Sequence, residues 1–259
     1  IWSTGFIAAK YGLPYAEPFT LLSYRFVITL LFLFLIIIYK KSPWPGSRKD
    51  FFHLMIAGAL IHGVYLGGVF QALKWGMPAG LGAMIIGLQP LGMALMAGVL
   101  LKERVSKKQW FGLIIGLAGL YLVLFDNLDL TRQIMFDGFP VWAVFAVIIS
   151  LFAISIGTIY QKRFCSNMNL YSGPWVQYFS ASILCILIVL FFENGEVSWS
   201  RTFILAMTWQ VLGLSIGAIL LLMTMIKKDA LASVGSYFYL VAPLVAIQAW
   251  FLFEERIGL

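Results

Sequence analysis

The ionisable residues expected at membrane depth in the apolar runs of this 259-residue chain are basic: Lys10, Arg25 and His62. Placing such a group in hydrocarbon costs about 2.5–3.5 kcal/mol on insertion scales, so each must face a wet cavity, a partner or the lipid headgroups. Lys10 and Arg25 stand a few residues from the outer ends of their runs, near Glu17. There they either snorkel and pair, or line the mouth of a pathway. His62 sits near the middle of its run, where a lone histidine serves as a hydrogen-bonded packing residue or as a contact for a ligand or a proton.

Hydroxyl and amide groups form a second set. Tyr65 follows His62 by three residues, so the two share a helix face. Gln71 is nearer a run's end, Gln89 stands beside Pro90, Tyr160 closes another run, and Tyr237 and Tyr239 precede Pro243. Tyrosine offers a hydroxyl and a flat apolar face to a small molecule. Positions two apart lie about 200° apart around a helix, so only one of Tyr237 and Tyr239 faces a cavity squarely; Tyr237 is favoured because Val241, Leu244 and Gln248 continue its face. The candidate binding set is His62, Tyr65, Gln89, Tyr160, Tyr237 and Lys10.

What is missing narrows the chemistry. No Asp or Glu falls inside a run, which argues against a proton-driven exporter of cations, because that needs a carboxylate at membrane depth to bind cation and proton in competition. The sequence has no His-Glu-x-x-His pair, no Gly-x-Ser-x-Gly elbow and no phosphate-cradling loop, so no catalytic residue, metal site or cofactor is expected. Cys165 and Cys185 are too few and unpatterned for a disulfide framework.

The elements that must position these groups are membrane spans. Hydrophobic residues make up 61% of the chain and charged ones 11%, against about 45–50% and 25% in soluble domains. Runs of roughly 17–24 apolar residues match a hydrocarbon core about 30 Å thick, and helices crossing it satisfy their own backbone hydrogen bonds. The alternation of a transmembrane β-barrel is lacking. Spans are expected at 1–14, 18–39, 51–73, 78–101, 109–125, 139–160, 173–192, 204–226 and 230–253. Gly63 with Gly67 and Gly213 with Gly217 are spaced for close helix packing, while Trp44, Trp75, Trp142, Trp175 and Trp199 read as an interfacial belt.

Charge in the connecting loops sets an orientation. One set of alternate loops, including Lys40, Lys41, Arg48, Lys49, Lys162 and Arg163, holds twelve basic residues against three acids; the other holds four against eight, among them Glu17, Glu193 and Glu255. The positive-inside rule makes the first set cytoplasmic. The net charge of +7 is thereby explained without nucleic acid.

The second half repeats the first. Ser3-x-Gly5 then Lys10 is echoed by Ser155-x-Gly157 then Lys162, and Gly82 with Pro90-Leu91 by Gly235 with Pro243-Leu244, at offsets of 152 to 153 residues. By that offset the fifth span has its partner beginning near position 261, so ten spans in two sets of five are expected, about nine of them within these residues. Five is odd, so the second set starts on the opposite side and the repeats are inverted, as in carriers that open to each face in turn. The expected organisation is all-α and integral to the membrane: a first repeat over 1–125, an external linker over 126–138 and a second repeat over 139–259.

Trp2-Ser3-Thr4-Gly5 with Ala9-Lys10, then Pro18 and Arg25-Phe26, and a span closed by Pro90 through Leu101-Lys102-Glu103-Arg104, resemble the drug/metabolite transporter superfamily, within it the EamA-like ten-helix permeases. The resemblance implies a multi-pass protein of the plasma (inner) membrane with cytoplasmic termini. It also implies a secondary transporter, a transport class without a substrate. The basic side chains Lys10, Arg25 and His62 favour export of a small metabolite with a negative group, such as an amino acid or related carboxylate, with a lipophilic-compound exporter as the alternative. Its partners are then a small-molecule substrate and the bilayer, with no nucleic acid. An intramembrane enzyme and a receptor-like protein are the rival classes; the first needs a catalytic cluster at depth, and the second has no need of inverted repeats.

Overall fold

The computed structural model describes residues 1–89, 92–93, 111, 115, 138–221 and 240–255. These form α1 (Thr4–Gly12), α2 (Pro18–Lys40), α3 (Arg48–Lys74), α4 (Ala79–Gly87), α5 (Val141–Phe164), α6 (Ser172–Phe192), α7 (Arg201–Leu221) and α8 (Val241–Phe253). Five of them, α2, α3, α5, α6 and α7, are long and apolar enough to cross a membrane. α2, α3, α5, α6 and α7 follow the expected spans within a few residues, while of the runs expected at 78–101 and 230–253 the described helices are Ala79–Gly87 and Val241–Phe253. The expected span at 109–125, the linker, Pro90, Tyr237 and Tyr239 lie outside the described residues.

Local signals explain the boundaries. Pro18 opens α2 at a position whose N–H needs no helical partner. Glu193, at the end of α6, accepts from the Phe19 and Thr20 amides and the Thr20 hydroxyl at 2.9, 2.6 and 2.8 Å, so a distant carboxylate caps the helix. α2 stops at Lys41, in the left-handed region at φ 48°. Ser47 caps α3 by accepting from the Asp50 amide, and Ser200 caps α7 by accepting from the Phe203 amide.

Both capped helices contain a π-helical segment, Ala59–Val64 in α3 and Trp209–Ala218 in α7. A π turn holds more residues than an α turn, so the faces on either side of it are offset, and such segments concentrate at functional sites.

Packing follows a regular pattern. α2 lies on α6 and α4 on α8; α3 packs on α5 and α6, and α7 on α1 and α2; α4 touches α5, and α1 touches α8. Glycines set the closest approaches. A Cβ at Gly58 of α3 would stand 2.2 Å from the Gln177 carbonyl oxygen of α6. Gly157 of α5 meets Ile61 in the π segment of α3, and Gly5 of α1 meets Leu214 in the π segment of α7. Gly67 admits the Phe19 ring, whereas Gly213 and Gly217 face neighbours on their own helix.

Opposite ends of the molecule differ in charge. Where α2 and α5 finish and α3 and α6 begin stand Lys40, Lys41, Arg48, Lys49, Lys162 and Arg163, and the Ser172 hydroxyl ties the two loops by donating to the Pro43 carbonyl at 2.7 Å. At the other end Glu17 accepts from the Asn194 amide, the Ser198 amide donates to the Tyr15 carbonyl, and Ala16 bridges Val197. Trp44 meets Trp175 at the basic end and Trp199 meets Tyr24 at the acidic end. Trp175 also donates to the Leu30 carbonyl, so it locks α6 to α2 as well as marking an interface.

Candidate binding site between the helices

Arg25 does not snorkel. It is 6% exposed, and its guanidinium turns inward from α2 to the π segment of α7. Nε donates to the Ser215 hydroxyl at 2.9 Å and Nη1 to the Gln210 side-chain carbonyl at 3.3 Å. Gln210 in turn donates to the Ala8 carbonyl of α1 at 3.2 Å, and the Tyr178 hydroxyl of α6 donates to the Ser215 carbonyl at 3.3 Å. Ser215 and Gln210 are fully buried. Hydrogen bonding of this kind is what lets a charged group persist among apolar helices.

His62 joins the same cluster from the other side. It sits in the π segment of α3, buried, with its ring stacked on Tyr178 at a centroid distance of 4.2 Å and an interplanar angle of 23°. Phe26, adjacent to Arg25, approaches both rings, at 6.5 Å from His62 and 5.5 Å from Tyr178. Tyr65 is buried just beyond the π segment, within electrostatic range of Arg25. One polar cluster therefore draws on α2, α3, α6 and α7, a cationic group at one edge and a stacked ring pair at the other.

The remaining candidates lie elsewhere. Lys10 forms an ion pair with Glu255 beyond α8 and lies over the Phe253 ring, so its acid is Glu255 and not the neighbouring Glu17. Glu255 also accepts from the Gly80 amide at 3.4 Å, joining the starts of α4 and the ends of α1 and α8. Gln89 donates to the Thr158 hydroxyl at 3.4 Å. Tyr160 bonds His53 Nδ1 at 2.6 Å near the basic end and packs on Phe164. Gln71 lines an apolar groove of about 330 Å³ between α3, α5 and α6. Reading single runs misses Gln210, Ser215 and Tyr178. The repeat offset carries the signal, since 153 residues beyond Arg25 and His62 stand Tyr178 and Ser215.

A cleft of about 260 Å³ opens at the basic end, lined by Pro43, Trp44, Asp50, Cys165 and Met168 among others. Burial, and then the Asp50 carboxylate, push the Cys165 thiol up to about 11, so it stays neutral and unreactive at pH 7. Among the described residues no group of three metal-ligating side chains comes together.

Residues 1–125 match the model of the EamA-like transporter family. That match takes in a little under half of the chain, and the relatives the chain resembles are named as transporters or efflux pumps. It is 32% identical over 122 residues to a chloroplastic WAT1-related protein of Arabidopsis thaliana, covering 47% of this chain and 29% of that one. It is 24% identical over 247 residues to the uncharacterized inner membrane transporter YedA of Escherichia coli, covering 95% and 77%. To the probable amino-acid metabolite efflux pump of Salmonella typhimurium it is 25% identical over 163 residues, covering 63% and 50%. The chain thus spans half or less of the length of several curated relatives that it matches. A crystal structure with 21% identity superposes over 99% of this chain and 86% of its own with a TM-score of 0.65, so the same arrangement of helices exists in a solved protein. Five long apolar helices in one chain, beside relatives named as transporters, are the pattern of a multi-pass membrane protein.

Proposed function

We propose that the protein is a secondary transporter that moves a small metabolite, an amino acid or related carboxylate, outward by alternating access. The observation that carries the reading is the buried polar cluster of Arg25, His62, Tyr178, Gln210 and Ser215, assembled from helices of both halves. In carriers built from repeats, the substrate site lies near the bilayer midplane at the repeat interface, formed by interrupted helices. His62 is in the middle of α3, and both π segments meet at the cluster.

Inverted repeats account for much of the packing. Exchanging α1 with α5, α2 with α6, α3 with α7 and α4 with α8 maps α2–α6 and α4–α8 onto themselves, α3–α5 onto α1–α7, α3–α6 onto α2–α7 and α4–α5 onto α1–α8. The contacts of α3 with α1, α2 and α4 and of α1 with α4 have no counterpart of that extent among the described residues. The Ser47 and Ser200 caps, and the Gly157–Ile61 and Gly5–Leu214 approaches, are exchanged by the same operation. In this reading the repeats occupy 1–125 and 139–259 and the basic end faces the cytoplasm. The name of the Salmonella relative supports an amino-acid metabolite as cargo.

The test is flux through the purified full-length protein in liposomes, against a panel of amino acids, carboxylates and lipophilic cations. Saturable flux of a carboxylate or amino acid is expected. Flux of lipophilic cations alone would replace the metabolite reading with drug export, and no flux of any compound would contradict both.

A further inference from the structure

Arg25 is a buried cation that meets no carboxylate among the described residues. Among the described residues the only ion pair with an acidic partner is Lys10 with Glu255, at the far end of α1. The groups that hold Arg25 are neutral, a serine hydroxyl and a glutamine carbonyl, and they engage Nε and Nη1. Among the described residues no hydrogen bond uses Nη2. A guanidinium has five N–H donors in a planar fork matched to a carboxylate, so the observed bonds fix its plane and leave its end for a ligand. No Asp or Glu stands in any expected span, and among the described residues none joins the cluster. At the opposite edge, His62 and Tyr178 present stacked rings beside Phe26.

We propose that Arg25 is the anion-binding residue of the substrate site: it takes the carboxylate of an amphipathic monocarboxylate whose apolar end lies against the His62 and Tyr178 rings, in a site that has no acid to receive an amine. The inference rests on the transporter reading and narrows its substrate class, from amino acids and carboxylates together to carboxylates that need no amino group. The asymmetry that carries it is local. Arg25 and Tyr178 stand at positions related by the repeat offset, as do His62 and Ser215, yet Arg25 with Ser215 supplies charge and hydrogen bonds while His62 with Tyr178 supplies a flat stack. A substrate with one charged end and one apolar end fits such a site in a single direction.

Equilibrium binding to the purified full-length protein separates the groups involved. Four probes share one ring: 3-phenylpropanoate (anion), 3-phenylpropanamide (neutral isostere), phenylalanine (zwitterion) and 2-phenylethylammonium (cation). We expect 3-phenylpropanoate to bind about ten-fold or more tighter than the amide, phenylalanine to fall between them, and the cation not to bind. Arg25→Gln should bring the anion down to the amide's affinity and leave the amide's unchanged. Should Arg25→Gln fail to fold, Arg25→Lys, which keeps the charge and loses the fork, should weaken the anion several-fold and leave the amide alone. Equal binding of anion and amide, an Arg25 variant with wild-type anion affinity, or tighter binding of phenylalanine than of 3-phenylpropanoate would overturn the assignment. Selective binding without flux would instead count against the transporter reading, and flux without selectivity for the anion against Arg25 alone.

Discussion

α3 and α7 share a plan and differ in what they hold. Each begins at a serine cap, runs into a π segment and is approached there by a glycine of another helix. From α3 the π segment offers His62 to the ring of Tyr178; from α7 it offers Gln210 and Ser215 to the guanidinium of Arg25. The backbone device is common and the chemistry is not. What the pair teaches, on the proposed repeat reading, is that two helices can keep the same cap, π segment and glycine approach while the groups they present diverge into two unlike edges, which suits recognition of an asymmetric molecule.

The comparison breaks most visibly at the glycines. Gly58→Val would drive a branched side chain into the Gln177 backbone of α6, 2.2 Å from where its Cβ must go, and backbone cannot rotate away. The expected loss lies near the upper end of about 1–3 kcal/mol, read as a lowered Tm in detergent. The two approaches to the π segments are unequal: a Cβ at Gly157 meets Ile61 at 2.7 Å and Leu60 at 3.0 Å, whereas at Gly5 it meets Leu214 at 3.6 Å. Gly157→Ala should therefore destabilise and Gly5→Ala should be near neutral. Equal losses would contradict the tighter fit on the α3 side.

A smaller effect is expected at the edge formed by α7. Gln210→Leu removes the acceptor of Arg25 Nη1 and the donor to the Ala8 carbonyl together, at a cost of about 2 kcal/mol for buried groups left unpaired. His62→Gln removes one ring of the stack on Tyr178 and no charge partner, so 3-phenylpropanoate and 3-phenylpropanamide should both bind more weakly while the ratio of their affinities is kept. The smallest effect belongs to the Lys10–Glu255 pair. Lys10 is about a third exposed, and a double-mutant cycle with Lys10→Met and Glu255→Gln should give a coupling of about 0–1 kcal/mol. A coupling of several kcal/mol would make this pair a main fastening of α1 to α8.

Much of the scaffold was legible in the residues. The runs at 18–39, 51–73 and 173–192 became Pro18–Lys40, Arg48–Lys74 and Ser172–Phe192, because in hydrocarbon length and apolarity alone decide a helix. The π segments were not legible: a uniformly apolar run gives no periodic signal by which a π turn differs from an α turn. His62 and Tyr65, chosen for depth and spacing, are both buried, His62 within the π segment of α3 and Tyr65 just after it. Arg25 stood open between two readings, because its partners lie 185 and 190 residues away, beyond what any local pattern carries. Tyr160 satisfied a rule of depth and still went to His53, since a helix position fixes height and not the neighbour met there.

The central claim is that the cluster between the two π segments is where substrate sits. It is tested most directly by a cysteine at Ser215, in full-length protein with Cys165 and Cys185 replaced by alanine, reconstituted in liposomes and treated with a small membrane-permeant thiol reagent. Saturating 3-phenylpropanoate should slow modification of Ser215→Cys while leaving a control cysteine at Ser47, on the basic loop, unaffected. Modification of Ser215→Cys at the same rate with and without the carboxylate would contradict the account.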